Sequence, residues 1–96
     1  MNTKSEIITK IKEIKPLLLA DYSVKSIGLF GSYVHETNTE QSDIDILVEF
    51  EKPIGWRFFT LELYLERIFG CKVDLVTKSG LKDQIKNQIL AELEYV

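Results

Sequence analysis

At 96 residues, 45% hydrophobic and 28% charged, the chain has room for one compact domain (residues 1–96) with a modest core and none for a second substrate-binding domain, so an oligomer or a complex is expected to complete it. A net charge of −3 excludes the basic footprint of a protein that coats duplex nucleic acid, and no stable nucleic-acid binding is expected. The single cysteine, Cys71, rules out an internal disulfide framework or a cysteine metal cage and is expected to pack beside a strand end rather than react.

The opening residues mix lysine and glutamate with isoleucine, without the unbroken apolar run of a signal peptide. No stretch approaches the ~20 apolar residues that cross a membrane, so a soluble, cytoplasmic protein with no membrane partner is expected. From Thr3 to Lys15, Ile7, Ile11 and Ile14 recur at helical spacing with Ile8 widening the stripe, which predicts an amphipathic helix. Pro16 cannot donate into that helix but suits a first turn, so Pro16–Ala20 reads as a short second helix or a tight continuation.

Val24 to Phe30 reads as a strand that runs into a tight turn at Gly31-Ser32. The polar segment Tyr33–Ser42 predicts a loop holding one helical turn, and Asp43–Phe50 a second strand. Side chains alternate along a strand, so Ile44, Ile46, Val48 and Phe50 fall on one face and Asp43 and Asp45 share the other. Pro53-Ile54-Gly55 signals a turn. Trp56–Phe69 then reads as a helix with Phe58, Leu61, Leu65 and Ile68 on one stripe and Gly70 as its C-terminal cap.

Lys72–Thr77 predicts a third strand with Val73 and Leu75 pointing one way and Asp74 the other, toward the carboxylate face. Leu81, Ile85, Ile89 and Leu93 predict a last helix over Leu81–Glu94, entered through Ser79-Gly80. Tyr95-Val96 is left open, to pack or to dangle. On the Trp56–Phe69 helix, Trp56, Phe59 and Leu63 form a second apolar line, read either as core filling or as a surface for a partner. The fold class is α+β: a small mixed sheet with helices packed on one side.

The chemistry lies in a spacing. Gly31-Ser32 is followed after ten residues by Asp43-Ile44-Asp45, and Asp74 stands in the strand Val73-Asp74-Leu75-Val76. Magnesium takes hard oxygen ligands, commonly one or two carboxylates with phosphate oxygens and water. Two such ions about 3.5–4 Å apart stabilise both the attacking and leaving oxygens of an in-line displacement at phosphorus. Aspartates one residue apart on a strand can bridge the pair, and a third on a neighbouring strand can serve the attacking oxygen. Gly31 lets the backbone approach a phosphate closely and Ser32 adds a hydroxyl and an N–H, together a cradle for a triphosphate. Taken singly, an Asp-x-Asp pair reads as a solvated face and Gly-Ser as an ordinary turn; it is the combination that points to a site. His35, the only histidine, reads as a surface residue outside it.

With SIGLFGS, SDIDILVEF, KVDLVT and a last helix from LKDQI to EYV, nearly the whole chain resembles the minimal nucleotidyltransferase (MNT) branch of the DNA polymerase β superfamily. The resemblance implies the polymerase β-like nucleotidyltransferase fold, with Asp43 and Asp45 as the metal-binding pair and Asp74 as a third carboxylate that also helps deprotonate the acceptor. It implies that Gly31 and Ser32 hold the β- and γ-phosphates of ATP, and that two Mg2+ ions serve as cofactors. Many MNT proteins are similar to antitoxins encoded beside a HEPN-family ribonuclease toxin, which implies AMP transfer from ATP to a tyrosine of that toxin within a hetero-oligomer. Where the family commonly has Ala-Arg-Gly after the Gly-Ser pair, this chain has Val34-His35-Glu36, and a fixed positive charge is lost. Two other readings stand beside this one: a module that neutralises its partner by occlusion, and an enzyme that transfers nucleotides to small molecules or RNA ends. The last is ranked third because the chain has no room for the extra domain that holds such acceptors.

Overall fold

A computed structural model describes residues 2–96. Its first helix, α1, spans Lys4–Tyr22. It opens on a reciprocal cap in which the Thr3 hydroxyl accepts the Glu6 N–H at 3.1 Å and the Glu6 carboxylate accepts the Thr3 N–H at 3.1 Å. The helix runs unbroken through Pro16, so the tight continuation holds and there is no separate second helix. Pro16 removes one backbone hydrogen bond and costs about 3 kcal/mol in a helix interior. Leu18 is 1% exposed and extends the buried stripe of Ile7 and Ile11 at spacings of four and seven; seating such a side chain contributes about 1.5–3 kcal/mol. Keeping the helix going is what brings Leu18 to the core.

Strand β1, Val24–Phe30, pairs antiparallel with β2, Ile44–Phe50, and β2 pairs parallel with β3, Val73–Thr77. Helix α2, Arg57–Phe69, makes the crossover between the two parallel strands. It ends where Gly70 takes a left-handed conformation (φ 68°) and donates its N–H to the Glu66 carbonyl at 2.8 Å. Helix α3, Asp83–Glu92, follows and leads into a two-residue strand, β4, Glu94–Tyr95. The sheet order is β3-β2-β1-β4.

At the C-terminus one expectation is corrected and one open question is answered. The last helix is shorter than 81–94, because Thr77 caps the preceding turn by accepting the Gly80 N–H at 3.1 Å and the helical repeat begins only at Asp83. Tyr95-Val96 does not dangle: β4 adds a fourth strand beside β1, and the Val96 N–H donates to the Ile27 carbonyl at 2.9 Å. The helical turn expected within 33–42 comes earlier, as a single 3-10 turn over Gly31–Tyr33.

Helices α1 and α2 pack together over one sheet face, where Ile27, Leu29, Ile44, Ile46, Val48, Val73 and Leu75 meet Ile7, Ile11, Leu61 and Leu65. Phe50, expected on the same face, is only partly buried there. The other face is not bare. Leu47 is fully buried and Phe30 8% exposed, outside the main cluster, and Leu93 lies over Gly28 so closely that a Cβ added there would stand 2.7 Å from Leu93 Cδ1. No residue of α3 is buried; at its C-terminal end Glu92 reaches Gly31 on the carboxylate face. Among the described residues, no helix is long and apolar enough to cross a membrane.

Candidate active site

The strand pairing sets the site. Asp45, second in β2, is in register with Phe30 on β1 and with Asp74, second in β3. Neighbouring strands lie about 4.8 Å apart, so the two aspartates stand side by side on the face away from the main core. Asp43 immediately precedes β2, which begins at Ile44, one residue later than the strand expected over Asp43–Phe50. Asp43 and Asp45 are half-buried, whereas Asp74 is exposed and open to an acceptor.

The electrostatics follow from that crowding. Burial, then the charges of Asp74, Asp43 and Glu92, push the Asp45 carboxyl up from 3.8 to about 6. Three further acids therefore converge on Asp45, and among the described residues no cationic side chain offsets them in its shift, a charge distribution that calls for a cation. Among the described residues, no three His, Cys, Asp or Glu side chains are grouped so as to hold a metal ion by themselves. Magnesium is usually held by one or two carboxylates together with substrate phosphates rather than by a closed protein cage. The donors are hard oxygens, and the site fits that ion.

Gly31 and Ser32 form the wall beside Asp45. Gly31 has φ +77°, and a Cβ there would run into the Asp45 carboxylate, so glycine is required both by conformation and by space. The Tyr33 ring, 3% exposed, anchors the turn, and burial followed by the Cys71 and Asp43 charges pushes its phenol up. The Ser32 carbonyl accepts the Thr37 N–H at 3.0 Å, while its hydroxyl makes no hydrogen bond among the described residues. All five predicted residues, Gly31, Ser32, Asp43, Asp45 and Asp74, thus border one end of the β1–β2–β3 sheet.

Glu92 was not anticipated. Its carboxylate accepts the Gly31 N–H at 3.1 Å and lies 2.9 Å from His35 Nε2, and the His35 contact, then the Gly31 bond, holds its pKa below the ordinary glutamate value. His35 is surface-exposed, as expected, but is tied into the edge of the site. No local pattern announces this: Glu92 ends an exposed helix 61 residues from Gly31. Cys71 packs against the core as expected, half-buried, near the Asn2 amide at 3.7 Å, with burial pushing its thiol up. A cavity of about 650 Å3 at the other ends of β2 and β3, lined by Phe50, Lys52, Thr77 and Lys86 among others, holds none of the three aspartates. Trp56, Phe59 and Leu63 are 85%, 54% and 63% exposed, so the second apolar line of α2 is not core filling.

Comparison with known proteins adds the family. Residues 6–96 match the family described as nucleotidyltransferase domain. A provisionally named protein adenylyltransferase of Methanocaldococcus jannaschii is 50% identical over 98 residues, covering 100% of both chains. The protein adenylyltransferase MntA of Thermococcus cleftensis is 45% identical over 97 residues, covering 100% of this chain and 98% of that one. Among solved structures, a provisionally named minimal nucleotidyltransferase superposes with a TM-score of 0.79 at 27% identity, over 99% of this chain and 95% of the other. A toxin–antitoxin complex with AMP-PNP shares the fold at a TM-score of 0.70 and 24% identity, over 98% of this chain and 72% of that one.

Proposed function

The chain belongs to the nucleotidyltransferase domain family, and from that premise we propose that it is a protein adenylyltransferase antitoxin. In this reading it is a single-domain cytoplasmic enzyme that transfers AMP from ATP to a tyrosine of a HEPN ribonuclease toxin encoded nearby, silencing the toxin. The observation that carries the reading is Asp45 standing in register with Asp74, with the Gly31 turn packed on the Asp45 carboxylate. The adenylyltransferase names of the relatives supply the group transferred.

The residues divide the work by position. Gly31 and Ser32 hold the β- and γ-phosphates, with the Ser32 hydroxyl as a donor. Asp74, the exposed member of the set, accepts the proton of the acceptor hydroxyl as its oxygen attacks the α-phosphorus. The bond from that phosphorus to the β-phosphate oxygen breaks, an AMP ester forms, and pyrophosphate leaves with the bonding electron pair. Asp43, Asp45 and Asp74 would hold two Mg2+ ions, which supply Lewis-acid neutralisation of phosphate charge. Asp45 is the member whose burial makes a bound cation most valuable.

A second reading, neutralisation by occlusion, is favoured by the exposed Trp56, Phe59 and Leu63 line and by His35 in place of the family's arginine. Co-expression with the adjacent gene's product separates the two. Intact mass spectrometry should show the partner gaining whole AMP units with the wild-type chain and none with D43A/D45A. Protection of cells by the double mutant, with both masses unchanged, would sink the enzymatic account.

A further inference from the structure

Beyond the aspartates, the side chain at the site with the most specific contacts is Glu92, at the end of α3. One of its carboxylate oxygens accepts the Gly31 N–H at 3.1 Å and the other lies 2.9 Å from His35 Nε2. Both partners lie in or next to the turn assigned above to the triphosphate. An internal anion therefore already uses a backbone donor and a ring nitrogen of the kind that bind phosphate oxygens.

Charge decides what happens when a nucleotide arrives. Asp43, Asp45 and Asp74 already crowd this end of the sheet, and Glu92 is among the groups that push the Asp45 carboxyl up. A triphosphate laid against the turn with Glu92 in place would add like charge to like charge and would compete for the same N–H. Glu92 is not locked in the core: no residue of α3 is fully buried, and the Glu92 side chain, 23% exposed, keeps an opening to solvent. The backbone just beyond it is fixed by β4, where Tyr95 pairs with Gly28 and Glu94 with Leu29. Rotation of the Glu92 side chain is enough to vacate the turn.

We propose that Glu92 is a built-in competitor of the triphosphate, closing the Gly31 turn in the free protein and displaced when nucleotide binds. This rests on the reading of Gly31-Ser32 as the phosphate cradle. Glu92 then sets the nucleotide affinity from outside the aspartate set.

Calorimetry of the full-length chain with a non-hydrolysable ATP analogue and magnesium tests it, comparing wild type, E92A and E92Q, with thermal melts of all three. E92A should bind about tenfold more tightly, and E92Q should fall between, because its amide oxygen still accepts the Gly31 N–H without the charge. Should E92A melt below the titration temperature, E92Q decides alone. Folded variants that bind the analogue no more tightly than wild type would overturn the proposal while leaving the nucleotide reading intact, since Glu92 would then be propping the turn. Binding by neither wild type nor variants would overturn both; binding by the variants alone would support both.

Discussion

Replacing Asp45 with asparagine should make the metal-free protein more stable while abolishing its activity. The folded chain holds the Asp45 proton more tightly than the unfolded chain, with the carboxyl moved from 3.8 to about 6 by burial and by the neighbouring acids. A group raised in this way contributes stability that is fully present below its unfolded value and is lost as pH rises through about 6. Asparagine keeps the shape and never ionises, so it escapes that loss. The displacement corresponds to at most about 3 kcal/mol, and solvent screening at a half-buried carboxyl reduces it to about 1–2 kcal/mol. For a domain of this size that is roughly 5–10 °C in melting temperature. Melts followed by circular dichroism in chelator should show D45N above wild type at pH 8, with the gap closing by pH 4. A variant that melts at or below wild type at pH 8, or a gap that persists at pH 4, would refute the argument that Asp45 is held at a cost to the fold.

Three further outcomes follow from the same geometry. G31A forces a side chain into a φ of +77° and into the Asp45 carboxylate; it should lose about 2 kcal/mol or more in denaturant melts and lose nucleotide binding with it. Glu36 also sits in the left-handed region, at φ 56°, where the family commonly has glycine, so E36G should raise stability by about 0.5–1 kcal/mol in the same melts. D74N should lower turnover far more than nucleotide affinity, read by comparing kcat with a calorimetric Kd; an equal loss in both would remove Asp74 from the acceptor side.

What was legible in the sequence was whatever periodicity or turn chemistry encodes locally. Val24–Phe30 stood out because its apolar run stops at Gly31, and that glycine is required by the backbone itself. The alternation in β2 separated Ile44, Ile46 and Val48 from Asp45, and the sheet keeps them on opposite faces. Gly70 announced the end of α2 because a left-handed cap favours glycine. Tertiary pairing wrote the rest. Strand β4 is two residues long and exists because β1 offers it an edge; no two-residue pattern predicts that. Pro16 read on local grounds as either a new helix start or a tight continuation, and the burial of Leu18 two residues later goes with the continuation. Leu47 looked like one more apolar residue in an apolar run, yet it is fully buried on the carboxylate face, on the side that Leu93 covers over Gly28.

That second face explains how so small a chain can carry a site at all. A two-layer domain with α1 and α2 on one side would leave the Asp45 face more open to water, with only the Gly31 turn packed on that carboxylate, and a bound cation would gain less there. The C-terminal end of α3, brought back by β4, places Leu93 and Glu92 against this face and helps to withdraw the Asp45 end of β2 from solvent. Withdrawal strengthens every charge interaction there. It raises the Asp45 carboxyl, and it lets Glu92 reach Gly31 from the far end of the sequence. The element that makes the carboxylates poised for a cation is thus the same one that supplies a competing anion. An E92A chain should accordingly keep the elevated Asp45 carboxyl, whose leading cause is burial, and lose only the competition, so the D45N stability gain at pH 8 should survive almost whole in an E92A background. If that gain vanished with Glu92, the Glu92 charge rather than burial would be what strains the site.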